Sequence, residues 1–156
     1  MLKRGLITIL ICLCSCLCSE AADFKMKPFE PTLAEIANMP EMCLAKWHAT
    51  RNSSRAQGIN AHYSKVFGQD WTHMHHYCFA LNFAKRANAP SISKAEKTFE
   101  LGRAVDNLDY VLEHTSPQFI WRGQTHRLMG LYFIRLGNHA EAQKHFLKAA
   151  EVPQNR

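Results

Sequence analysis

Across residues 94–114, apolar side chains return every three or four positions: Leu101, Ala104, Val105, Leu108, Val111 and Leu112. That is the helical period, and a stripe of this kind has to be covered by another element. The same steps recur at Trp71, Met74, Cys78 and Leu81, with Tyr77, Ala80, Phe83 and Ala84 on the adjoining face. A helix apolar over so much of its girth is expected to lie between neighbours. Nowhere does the chain alternate apolar and polar residues as a half-buried strand does. The expected fold class is all-α.

Local signals divide the chain further. Thr32 with Glu35 has the capping-box spacing and opens a short helix over residues 32–39. Pro40 suits the first position of a second helix, carrying Met42, Cys43, Leu44 and Trp47. Residues 53–58 (SSRAQG) read as a polar loop, and residues 60–67 as a helix that Gly68 ends. Asp70 is the expected cap of the segment that follows, which residues 88–92 break. Ser93 with Glu96 repeats the capping box. Ser116-Pro117 closes that helix and starts one reaching Leu136; Gly137 is a fitting C′ residue, and Asn138 caps a last helix with Ala142, Phe146 and Ala149 inward.

The N-terminus sets the expected compartment. Met1-Leu2-Lys3-Arg4 is a basic start, residues 6–17 are apolar, and Ser19-Glu20-Ala21 offers small residues at a cleavage site. Residues 1–21 are expected to be a secretory signal peptide, and the protein to be exported, periplasmic or secreted. Leu13-Cys14-Ser15-Cys16 also has a loose lipobox pattern, which would place lipid on Cys16 and make the protein a membrane-tethered lipoprotein. Residues 22–31 follow as a flexible lead-in, 32–68 as an N-terminal helical cap, and 69–156 as two helical hairpins. Four of the six cysteines lie in the leader, which leaves Cys43 and Cys78. An oxidising compartment joins such a pair, and a disulfide closing that loop adds about 3–4 kcal/mol. The net charge of +6 is spread along the chain. It favours acidic partners and, lacking a dense basic block, points away from nucleic acid.

Within GLYFIRLGNHAEAQKHFLKAAEVP, Gly130, Phe133, Gly137, Ala142, Phe146, Ala149 and Pro153 fall at characteristic spacings. The stretch resembles a tetratricopeptide repeat (TPR). Small Gly130 and Ala142 let two antiparallel helices approach, Phe133 and Phe146 fill the space between pairs, and Gly137 allows the tight turn. His126 and Met129 stand where that family has Trp and Leu, and Pro153 comes one residue early. Phe79, Ala80, Phe83, Ala104, Leu108, Val111 and Pro117 repeat the pattern more loosely. The leader, PEMC, HMHHYC and the terminal repeat together resemble exported bacterial proteins of this type. The resemblance implies a short TPR-like solenoid of stacked antiparallel hairpins. Such units do not bury their faces alone, so the N-terminal cap becomes a third layer, stapled to the array by Cys43–Cys78. No polar helix follows the last one, whose outer face is therefore expected to be partly apolar or else covered by a partner.

The implied function is non-catalytic: an adaptor or assembly factor holding an envelope protein or peptide. The first helix of each pair usually lines the binding surface in this class, which gives His73, His76, Asn82, Arg122, His126 and Arg135 as contact residues. The basic ones suit an acidic or carboxylate-bearing ligand. The alternative is a small metal- or heme-binding envelope protein built on His73 and His76, which share a helical face. His75 points about 160° away from His73, so a third ligand would have to come from elsewhere, such as His48, His62 or Glu35. HExxH, CxxC and CxxCH are all absent. A Cys/His hydrolase ranks last, since the chain has no nucleophile elbow, P-loop or dinucleotide fingerprint. The sequence calls for no cofactor and no catalytic residue. Clustered imidazoles at the cap contact are expected to loosen it below about pH 6.

Overall fold

The computed structural model describes residues 27–152. The expected leader, the expected lipid position Cys16 and Pro153, read as the closing residue of the repeat-like stretch, lie outside the described residues. Among those described there are only helices and turns: α1 (Leu33–Ile36), α2 (Ser54–Phe67), α3 (Met74–Arg86), α4 (Lys94–His114), α5 (Arg122–Leu136) and α6 (His139–Glu151), with 3-10 turns at Glu41–Ala45 and Gly68–His73. No helix among them is long and apolar enough to cross a membrane.

Both expected capping boxes form. Thr32 and Ser93 each accept from the backbone N–H three residues on, and Glu35 and Glu96 reach back to the cap N–H. Asn138 caps α6 through Glu141, and Gly137 adopts φ 79°, the left-handed turn that favours glycine. Four boundaries differ from expectation. Residues 53–58 are not a loop: the Ser53 hydroxyl accepts from the Ala56 N–H, starting α2 at Ser54, and Ala56 is fully buried. The local cap and one buried methyl outweigh a polar composition. The expected helix after Pro40 is only a five-residue 3-10 turn, because its Leu44 carbonyl accepts instead from the Thr50 hydroxyl. Asp70 does not cap α3. Its carboxylate accepts from the backbone N–H and hydroxyl of Ser116, both at 2.8 Å, tying the turn before α3 to the turn after α4. Lastly, α5 begins at Arg122 rather than at Pro117, since the intervening turn buries Phe119.

Contacts give the helix directions. His73 neighbours His114, His76 neighbours Asn107, and Phe83 neighbours Arg103, so α3 and α4 are antiparallel. At the other pair, Gly123 faces Ala149 and Val152, and Gly130 faces Phe146. A Cβ on Gly130 would sit 2.6 Å from the Phe146 ring, so only glycine fits with the ring in this position. Tyr77 meets Trp121 and Ala84 meets Arg135, so α5 runs parallel to α3.

The core cluster runs from Ile36 to Tyr132, with Trp47, Met74, Phe83, Leu101, Leu108 and Met129 at its centre, and α6 adds the buried Ala142 and Ala149. Several connections join the N-terminal layer to the core. Cys43 and Cys78 form a disulfide with both sulfur-bearing residues fully buried. Tyr63 of α2 stacks on Trp71, and Phe67 meets Trp121 edge to face. Arg86, buried at the end of α3, donates to both Glu35 carboxylate oxygens and to the Pro28 carbonyl. Its guanidinium holds the Glu35 carboxyl down at about 2. On the far side, the outer face of α5 and α6 exposes Leu131, Ile134 and Leu147.

Candidate functional site

Three helices wall a groove of about 860 Å³. From α4 come Val105, Asp109, Leu112 and Glu113; from α5, Arg122, His126, Met129 and Phe133; from α6, Glu141, Lys144, His145, Lys148 and Glu151. Steps of three and four bring each set to one face of its helix. The apolar members form the floor, while the charged members carry both signs.

Two imidazoles lie at the heart of this groove. His126 and His145 are both 6% exposed, and their Nδ1 atoms are 3.1 Å apart. One ring must donate and the other accept, so the two are opposite tautomers while both are neutral. Burial, then His145 beside it, pushes His126 down to about 4. Burial and Lys148 push His145 below its ordinary value as well. At neutral pH the pair is therefore an uncharged hydrogen-bonding surface. The Nε2 of His145 stands 4.0 Å from the Glu141 carboxylate.

Arg122 also lines the groove, and its guanidinium donates to the Leu112 carbonyl at 2.8 Å. That carbonyl is among those the end of α4 leaves without an intrahelical partner. Capping it fixes the arginine between α4 and α5.

Of the six contact residues read from the sequence, only Arg122 and His126 share this groove. Asn82 is fully buried, with no partner for either side-chain polar atom among the described residues, and presents nothing at the surface. Arg135 donates to Asn88 and fastens the end of α5 to the end of α3. His73 and His76 belong to the α3–α4 seam. His76 donates from Nδ1 to Asn107, whose own amide is fixed by the Arg103 carbonyl. Its ring stacks on Tyr110 at 3.6 Å, which in turn stacks on His114 at 3.7 Å. His73 lies 5.6 Å from His114. His75 donates to the Thr72 carbonyl. Among the described residues, no group of three His, Cys, Asp or Glu side chains is arranged to hold a metal ion. His145, Tyr110 and His114 escaped the sequence reading. The stripe Glu141, Lys144, His145, Lys148 was visible as a helical period, but not the helix it faces.

Comparison with known proteins found no matching family, no matching curated protein and no matching solved structure.

Proposed function

We propose that this chain is an exported, non-catalytic binding protein, a short TPR-like stack with an N-terminal cap, that holds a segment of an envelope protein or peptide in the α4–α5–α6 groove. The observation that carries this is the groove itself: an apolar floor, an uncharged histidine pair and charges of both signs at the rim. Such a lining matches how peptide sites combine apolar burial with a few polar groups that fix orientation. Support for the repeat reading comes from the antiparallel α5–α6 pair, the Gly130–Phe146 approach, the left-handed Gly137 and buried Ala142. Acidic side chains of the partner pair with Arg122, Lys144 and Lys148, while Asp109, Glu113, Glu141 and Glu151 exclude registers that set like charges together. The compartment follows from the leader: periplasm or exterior, with a membrane tether where Cys16 carries lipid.

In-cell photo-crosslinking tests this reading. A crosslinking residue at Lys144, on the groove rim, is expected to capture a discrete partner, and one at Arg127, on the exposed side of α5, is not. Arg122→Ala should lower recovery several-fold, and Arg135→Ala should leave it unchanged. Equal capture from both crosslinking positions would remove the groove as the binding surface.

A further inference from the structure

A second concavity, sharing no residue with the groove, lies where the N-terminal layer meets α3. It measures about 380 Å³ and is lined by Glu30, Lys46, His48, Arg51, His75 and Phe79, with Ala45. The chain leaving the first 3-10 turn brings Lys46, His48 and Arg51; the opening turns of α3 bring His75 and Phe79. The disulfide joins these two walls directly, because Cys43 sits in that turn and Cys78 precedes Phe79.

Lys46 is the unusual member. Its ammonium lies 3.6 Å from the centre of the Trp71 ring and donates to the Trp71 carbonyl. No carboxylate lies within ion-pair distance of it among the described residues. A half-buried cation satisfied only by a carbonyl and an aromatic face keeps its charge uncompensated, which is costly unless an anion comes to it. Burial already lowers Lys46 to about 8, the direction expected of an ammonium without an anionic partner. Arg51 is exposed and likewise makes no ion pair among the described residues, so its fork of donors is open to an oxyanion. His75 spends its Nδ1 on the Thr72 carbonyl. Glu30 alone brings negative charge to the lining.

We propose that this pocket binds a small molecule through an oxyanion group, a phosphate or a carboxylate, held between Lys46 and Arg51 with the imidazoles of His48 and His75 beside it. The disulfide acts here as the strut that keeps the lysine wall against the histidine wall.

The test uses the full oxidised chain at constant ionic strength, with chloride as the reference anion. Inorganic phosphate and acetate are titrated separately, followed by calorimetry and by tryptophan fluorescence, since Lys46 covers Trp71. Saturable binding of either over chloride is expected, and the tighter of the two tells a phosphate ligand from a carboxylate one. Lys46→Met and Arg51→Ala should each weaken that binding by about tenfold, the scale of one charge-assisted hydrogen bond. Arg51 is exposed, so its variant keeps the fold and the result readable. Absence of binding by both anions, or unchanged affinity in both variants, overturns the proposal.

Discussion

Gly130 and Arg86 show how much can rest on one residue. A methyl on Gly130 meets the Phe146 ring at 2.6 Å, a distance real side chains do not tolerate. Gly130→Ala must therefore displace the Phe146 ring or push α5 and α6 apart, and is expected to cost about 1–3 kcal/mol, read as a lower urea midpoint. Arg86 is almost wholly buried and holds Glu35, Pro28 and Glu30 at once. Arg86→Met strands the Glu35 carboxylate and is expected to cost about 3 kcal/mol, the low end for a broken buried pair because Glu35 stays partly exposed. Glu35 also sets an acid limb. Its folded pKa, about 2, lies below its ordinary 4.5. The unfolded chain therefore protonates first, and the stabilisation is complete above about 4.5 and lost as pH falls towards 2. Glu35→Gln should flatten the stability curve in that window and leave it unchanged in shape above it.

At the level of elements, Ser53 and the disulfide carry the N-terminal layer. Ser53→Ala removes the only side-chain cap of α2 and is expected to cost about 1 kcal/mol, with lost helicity confined to the first turn of α2 by amide exchange. Cys43→Ser with Cys78→Ser opens a 35-residue separation and is expected to cost about 3–4 kcal/mol in chemical unfolding. These elements were unequally legible. The boxes at Thr32 and Ser93 and the turn at Gly137–Asn138 are written in consecutive residues, so the sequence displays them. Ser53 went unread because SSRAQG is polar and holds a glycine, and only the burial of Ala56 shows which signal wins. Asp70 carries the right chemistry for a cap, yet its partner, Ser116, is 46 positions away. The site followed the same rule. Arg122 and His126 lie on a helix whose face could be read, while Asn82 shares the period of a helix buried all round. The pairing of His126 with His145 depends on how two helices meet.

For the molecule as a whole, pH acts through its histidines. Burial lowers His75, His76, His126 and His145, each below the ordinary 6.5. The folded state binds these protons later than the unfolded chain, so their stabilisation is full above about 6.5 and declines as pH falls, for His126 down to about 4. The melting temperature is expected to be lower at pH 5.5 than at 7.5 by scanning calorimetry; an identical value at both would sink this account. That window lies mostly above the one set by Glu35 and meets it between about 4 and 4.5, so stability should fall with acid in two overlapping limbs. The sealed sulfur bridge has a consequence of another kind. Cys43 and Cys78 are both wholly enclosed, so oxidants and reductants reach them only when the core opens. Their bond has to be made while the chain is still open. It is a record of the surroundings in which the protein matured, and later changes of redox environment leave that record unedited while the core stays closed.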